Sequence, residues 1–410
     1  MLHQCRFCNK PLKYTFVDLG VSPLANSYLN EAQLQNMEPF YPLRVYVCER
    51  CYLVQLPVFQ SSAEIFSDYA YFSSYSDSWL QHAKNYADSM IERFGLGHES
   101  QIIEIASNDG YLLQYFKERK IPVLGIEPAA NVARAAKEAK IPTLVKFFGF
   151  QTATELAAEE KQADLLVGNN VLAHVPDVND FVKGMKVILK PQGVITMEFP
   201  HLSRLVAENQ FDTIYHEHFS YFSFTTVKQI FAHHGLEIFD VEELPTHGGS
   251  LRIYAHHEED RSKVNSEHVK DLLEREEADG FQDLELYLAF DEKAKKTKRS
   301  ILEFMNKSKN EGKSIVGYGA PAKGNTLLNY CGIRQDYIDF TVDLSPHKQD
   351  HFLPGTHIPI HHPDRIKETR PDYVVILPWN LKNEIMQQMA HIREWNGEFV
   401  TFIPEVKVFS

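Results

Sequence analysis

Gln-Ile-Ile-Glu-Ile-Ala-Ser-Asn-Asp-Gly-Tyr-Leu-Leu (101–113) decides the fold. Its first six residues, Gln101 to Ala106, form a short apolar run of the kind that makes a strand buried on both faces. Ser107-Asn108-Asp109-Gly110 then reads as a loop, and a helix opens at Tyr111. Downstream the same alternation repeats. Val123 to Glu127 (VLGIE) is a second strand ending in an acid, and Thr143 to Phe148, Ala163 to Asn169 and Gly193 to Phe199 supply three more. Leu236 to Leu244 and Ser250 to His256 follow, separated only by a Pro- and Gly-containing turn. Five βα units and a closing hairpin predict a doubly wound α/β sheet whose last strand runs antiparallel, with ligand at the carboxyl ends of its strands.

Two carboxylates indicate the ligand: Glu104 within the first strand and Glu127 at the tip of the second. An acid at the end of strand two can accept both ribose hydroxyls of an adenosine ligand; its plain alternative is a solvated strand end. The first loop lacks Gly-x-Gly-x-x-Gly and so the spacing that grips a pyrophosphate. That disfavours NAD and favours S-adenosylmethionine, which carries no phosphate.

Upstream, four of the five cysteines form two Cys-x-x-Cys pairs, Cys5/Cys8 and Cys48/Cys51. Each pair can curl into a knuckle, and two knuckles complete a closed tetrahedral site with no position left for water or substrate. Structural zinc is the expectation, with a redox pair as the alternative. Cys331 has no partner at such spacing and reads as a small buried apolar residue. The chain has 410 residues, which allows several domains, and 42 basic against 55 acidic side chains give a net charge of −13. Such a field repels nucleic-acid phosphate and anionic membrane. No apolar run approaches the ~18 residues of a membrane span, and a cytoplasmic location is expected.

Phe211 to Ser223 (FDTIYHEHFSYFS) has the look of a catalytic segment, because Tyr215-His216-Glu217-His218 concentrates groups that move protons. If extended, it sends His216 and His218 to one side and Tyr215 and Glu217 to the other. Metal binding with His174 as a third ligand is an alternative, as are hydrogen-bonded core histidines. Residues 262–312 are charged and helically periodic, as in long helices packed on a neighbouring domain. The α/β alternation then resumes with strands at Ser314 to Tyr318, Ile338 to Val342 and Tyr373 to Leu377, and a helix from Leu381 to about Trp395. Gly319-Ala320-Pro321-Ala322-Lys323-Gly324, before a helix expected from Asn325, is a Gly-rich loop that could cradle a pyrophosphate or be merely structural.

Taken together, the chain resembles the three-domain sugar C-methyltransferases that act at C3 of nucleotide-linked 4-keto-6-deoxy sugars. The resemblance runs through the cysteine pairs, Tyr-Ala-Tyr-Phe-Ser-Ser-Tyr-Ser (69–76), residues 104–113, Gly-Ile-Glu-Pro-Ala (125–129) and Asn-Val-Leu-Ala-His-Val-Pro-Asp (170–177). It continues in residues 215–223, His-Gly-Gly-Ser-Leu-Arg (247–252) and Gly-Tyr-Gly-Ala-Pro-Ala-Lys-Gly-Asn (317–325). Ala106 departs from it, since the family more often has glycine there; slight crowding is the expected consequence.

The resemblance implies a zinc-binding domain over residues 1–75, a seven-stranded class I methyltransferase domain over 76–258, and a helical segment with a Rossmann-like substrate domain over 259–410. It implies His218 as the base, with Glu217 and Tyr215 beside it and His174 and Tyr69 or Tyr71 closing the pocket. S-adenosylmethionine would contact Glu104, Ala106, Asn108, Gly110, Glu127, Asn169 and Asn170. The substrate, a nucleotide-diphosphate 4-keto-6-deoxy sugar with a thymidine nucleotide favoured, would be held by Arg252, Gly319, Lys323, Asn325 and Lys348. Methyl transfer with inversion at C3 is implied as well. Two other functions compete: an O- or N-methyltransferase on a similar sugar, and a zinc-knuckle binding protein with a vestigial cofactor fold.

Overall fold

The computed structural model describes residues 3–66, 73–75 and 77–410. Its strands run in chain order as β1 (Tyr14–Ser22), β2 (Tyr41–Val47), β3 (Val54–Gln55), β4 (Ile102–Ile105), β5 (Val123–Ile126) and β6 (Thr143–Leu144). They continue as β7 (Ala163–Asn169), β8 (Leu189–Pro200), β9 (Ser220–Tyr221), β10 (Leu236–Leu244) and β11 (Ser250–His257). The last third holds β12 (Ile315–Tyr318), β13 (Thr341–Val342), β14 (Ile360–His361), β15 (Tyr373–Ile376), β16 (Glu398–Thr401) and β17 (Lys407–Phe409).

Apolar residues on both faces of a strand require cover on both sides, and all four residues of β4 are buried at the centre of a seven-stranded sheet ordered β10-β11-β8-β7-β4-β5-β6. Neighbours pair in parallel except at β11, which is antiparallel to both β8 and β10. The strand order reverses between β4 and β7, so the loops after them open a crevice at the carboxyl ends.

A smaller antiparallel sheet is ordered β1-β2-β3-β9. Its last strand comes from the segment that carries the clustered histidines. A third sheet, β14-β13-β12-β15-β16-β17, is parallel except at β17. Helix Glu267–Ala278 packs on β10 of the central sheet, and helices Leu284–Leu288 and Phe290–Asn310 pack on β1 of the second sheet. The longest buries Phe290, Ala294, Ile301 and Met305 along one stripe, and Phe290 stacks on Phe16 of β1 with ring centroids 4.5 Å apart. One apolar cluster thus joins the amino-terminal sheet to the carboxy-terminal third.

Several expected elements are shifted. The helix after the Gly-rich loop spans Ala322–Cys331, so Lys323 and Gly324 lie in its first turn and not before it. The long helix from Leu381 is broken into Lys382–Gln388 and a 3₁₀ turn at Ala390–Trp395. The strand expected at Thr143 to Phe148 pairs over two residues only.

Candidate active site

A cavity of about 410 Å³ opens at the carboxyl ends of β4, β5 and β7 and extends to the amino-terminal region and the third sheet. At the sheet end the chain makes a tight loop: Ala106 and Asn108 are left-handed, at φ 55° and 50°, and Gly110 is at φ 82°. A Cβ on Gly110 would lie 2.8 Å from Ile141 Cγ1, so glycine is required there by both conformation and space. Glu127 closes the loop by accepting the Asn108 and Ala129 backbone N–H groups at 2.9 and 2.8 Å. Burial still raises its carboxyl above the usual range.

Ala106, Asn108, Glu127, Asn169 and Asn170 all line the cavity. Both amide atoms of Asn169 and the Oδ1 of Asn170 are buried without a hydrogen-bond partner among the described residues. Buried polar groups in that condition fit a polar ligand such as S-adenosylmethionine, whose ribose and amino-acid parts need donors and acceptors. Glu104 and Gly110 do not reach the wall. Glu104 is buried beneath it, where burial, Asp109 and Glu127 raise its carboxyl well above the ordinary range.

At the other end of the cavity, Tyr215-His216-Glu217-His218 forms a turn closed by the His218 N–H on the Tyr215 carbonyl at 2.9 Å, and is not extended. The turn corrects the expected facing: Tyr215, Glu217 and His218 line the cavity together. His216 points away, with Nε2 3.2 Å from the Pro42 carbonyl and its ring against Tyr41 and Phe59. His218 Nδ1 lies 2.9 Å from the Thr213 carbonyl. A carbonyl only accepts, so Nδ1 carries the proton and Nε2 keeps its lone pair. Burial, reinforced by His174, holds His218 well below the usual histidine range.

The His174 ring stands edge-on to His218, with centroids 4.8 Å apart, and burial lowers it to about 4. Tyr215 lies over His218 at 4.1 Å. Glu217 is pushed up to about 7 by burial, against a hydrogen bond from Asn26. Tyr69 and Tyr71 lie outside the described residues.

Cations enter from the third sheet. Lys323 lines the cavity, donates to Asn380 Oδ1 at 2.8 Å and sits over the Trp379 ring at 4.7 Å. Burial lowers Lys323, opposed by Asp212. Lys348 also lines the cavity and donates to the Ala320 carbonyl at 3.0 Å. The other three residues expected around the substrate are elsewhere. Gly319 does not line the cavity, and Asn325 donates to the Ala25 carbonyl at 2.6 Å, tying two regions of chain together. Arg252 is a correction of a different kind. It projects from β11 into the protein, 2.8 Å from Glu198 and 3.1 Å from Glu242, where its charge balances the buried Glu198 carboxylate.

Sequence reasoning missed Asn26, Tyr28, Trp79, Tyr111 and His247, all of which line the cavity. His247 was within a quoted motif, yet nothing in its spacing marked it. Its backbone is left-handed (φ 54°), and Asn170 Nδ2 is 3.1 Å from its Nε2.

Away from the cavity, Cys5, Cys8, Cys48 and Cys51 bring four sulfurs within 4.8 Å of one another, with Cys5–Cys51 at 3.6 Å and Cys8–Cys48 at 3.5 Å. Four thiolates about 2.3 Å from a tetrahedral zinc lie roughly 3.8 Å apart, so the set fits that ion. Cys331 is buried well apart from them in the apolar cluster. Among the described residues no other group of three or more metal-ligating side chains comes together, and no helix is long and apolar enough to cross a membrane.

Comparison with known proteins agrees with this geometry. Residues 5–66 match the family described as "Putative zinc binding domain", 79–241 match "Methyltransferase domain", and 245–404 match "C-methyltransferase C-terminal domain". The chain is 34% identical over 409 residues to the C-methyltransferase NovU of Streptomyces niveus, covering 100% of this chain and 97% of that protein. Solved structures overlap much less. An S-adenosylmethionine-dependent methyltransferase from Clostridium acetobutylicum shares 11% identity over 46% of this chain and 92% of its own, at a TM-score of 0.36. One from Anabaena variabilis shares 15% over 42% and 83%, at 0.35. Zinc-knuckle region, methyltransferase sheet and a full-length relative converge: the chain belongs to the C-methyltransferase family and is an S-adenosylmethionine-dependent C-methyltransferase of a small molecule, with a zinc-binding amino-terminal region.

Proposed function

We propose that the protein methylates C3 of a nucleotide-linked 4-keto-6-deoxy sugar, a thymidine diphosphate sugar being the favoured form. The observation that carries this reading is the His218 imidazole, whose Nδ1 is committed to the Thr213 carbonyl and whose Nε2 keeps its lone pair in a cavity that reaches both the Asn169 end and the two lysines. In this reading residues 1–75 hold the ion, 76–258 the cofactor and 259–410 the nucleotide.

A hydrogen on carbon becomes removable when a ketone stands beside it, which requires the carbonyl at C4. His218 Nε2 takes the C3 proton, and the C3–H electron pair moves into the ring to give an enolate with its charge on the C4 oxygen. His174 or a tyrosine hydroxyl donates to that oxygen. S-adenosylmethionine, when bound, would supply an electrophilic methyl group to C3 of the enolate, the S–CH3 electron pair staying on the departing thioether sulfur as the C4 carbonyl re-forms. Lys323 and Lys348 would hold the diphosphate. Because Lys323 helps keep His218 neutral in the free protein, a bound diphosphate that neutralises Lys323 would raise the basicity of His218 as substrate arrives. Glu217, ionised, would steady the imidazolium that forms.

The test is incubation of the wild-type protein and His218→Ala with a panel of nucleotide 4-keto sugars in deuterium oxide, followed by NMR. The wild type is expected to exchange C3 hydrogen and to place the methyl on C3. His218→Ala should lose both while still binding cofactor. A methyl on oxygen or nitrogen, or undiminished exchange in the variant, would remove the proposal.

A further inference from the structure

Glu217 meets a side chain from a distant part of the sequence: Asn26 Nδ2 lies 2.6 Å from its Oε1. Asn26 belongs to the stretch between the two cysteine pairs, outside every motif that marked the site. The loop around it is pinned on both sides. The Ala25 carbonyl accepts Asn325 Nδ2 at 2.6 Å, and the Tyr28 hydroxyl donates to the Ala320 carbonyl at 2.6 Å. Leu29 bridges to Phe352. Lys348 lies over the Tyr28 ring at 5.5 Å. Asn26 is therefore delivered to Glu217 by a loop held through its backbone at Ala25 and Leu29 and through the Tyr28 side chain, and it lines the cavity beside it.

From this geometry we infer that Asn26 is a positioning residue for the reaction: its amide aims the Glu217 carboxylate at the cavity and supports its anionic form. The inference rests on the reading of Glu217 as the partner of the His218 imidazolium. An ionised carboxylate only accepts hydrogen bonds, so Asn26 must present Nδ2, and that donor favours the charged form. Burial drives the other way. The titratable groups facing this corner are His218, His174, Tyr215 and Tyr28, with Lys348 and Lys323 from the third sheet.

The experiment is the pH profile of kcat for the wild type, Glu217→Gln and Asn26→Ala. The wild type should lose activity on the acid side as Glu217 is protonated. Asn26→Ala should move that limb upward by about one unit, because a hydrogen bond to a charged group is worth about tenfold in an ionisation equilibrium. Activity at pH 6 should then fall about tenfold more than at pH 8.5. S-adenosylmethionine affinity should be unchanged. If Glu217→Gln keeps the wild-type limb, the role of Glu217 fails. If Glu217→Gln removes the limb but Asn26→Ala leaves it in place, Asn26 is structural only and the inference is overturned. Asn26→Ser carries the same expectation should the alanine variant aggregate.

Discussion

Ala106 carries a methyl group where the backbone is left-handed, and the family pattern more often has glycine there. At φ 55° its backbone is strained for any residue that carries a Cβ. A left-handed L-residue costs about 1–2 kcal/mol; glycine removes that cost, offset by roughly 0.5–1 kcal/mol for its larger unfolded-state entropy. Ala106→Gly is expected to stabilise the protein by about 0.5–1 kcal/mol in urea denaturation, with cofactor binding retained. The two kinds of cation should separate cleanly. Lys323→Ala should raise KM for the nucleotide sugar by roughly tenfold or more, since charge-assisted contacts carry about 1.5–3 kcal/mol, and leave Tm near the wild type. Arg252→Ala should do the opposite. It leaves the buried Glu198 with only His82 and Thr246 as partners, at a cost of up to about 3–5 kcal/mol, seen as a loss of stability with KM little changed.

Helix Asp77–Phe94 and the hairpin turn are fastened to the central sheet through that same glutamate. His82 Nε2 lies 3.0 Å from Glu198, and Thr246 Oγ1 donates to it at 2.8 Å. Burial pushes the Glu198 carboxyl up, but His82 and Arg252 outweigh it and bring it down to about 2. A carboxyl depressed in the folded state adds stability that is full above its unfolded value of about 4.3 and is lost as pH falls toward the folded one. Stability of the wild type should thus decline between about pH 5 and 2, and Glu198→Gln should flatten that part of the curve. The elements themselves were unevenly legible. β7 and β10 match their expected bounds residue for residue, β7 as a run with six of seven residues buried and β10 ending at the turn that Pro245 opens. Thr143 to Phe148 was overread, since its last residues leave the sheet and Phe147 and Phe148 turn to the cavity wall. The turn at 215–218 has neither Gly nor Pro to announce it. Asn26 and Tyr28 were invisible because only tertiary contacts with residues some 190 and 290 positions away give them a role.

For the whole molecule, the acidic balance of −13 coexists with a cavity presenting Lys323 and Lys348, so the attraction for an anion is local and not a property of the surface. The cysteine cluster stands at a similar junction: Cys5, Cys48 and Cys51 share one buried apolar cluster with Phe222, Phe224 and Ile230 of the central region. Cys48→Ser is expected to purify with less than about half an equivalent of zinc by elemental analysis and to lower Tm by roughly 5 °C or more, because ion binding is coupled to folding. Unchanged zinc content would count against the four-sulfur site.

One short strand has a consequence for biosynthesis. β9 completes the sheet begun by β1, β2 and β3, although most of the central fold is translated between them. On the ribosome the amino-terminal lobe must therefore wait, with β3 exposed along one edge, until Ser220 and Tyr221 emerge. A polypeptide cut just after β3 would present that bare edge permanently and is expected to self-associate in place of folding as a free-standing unit.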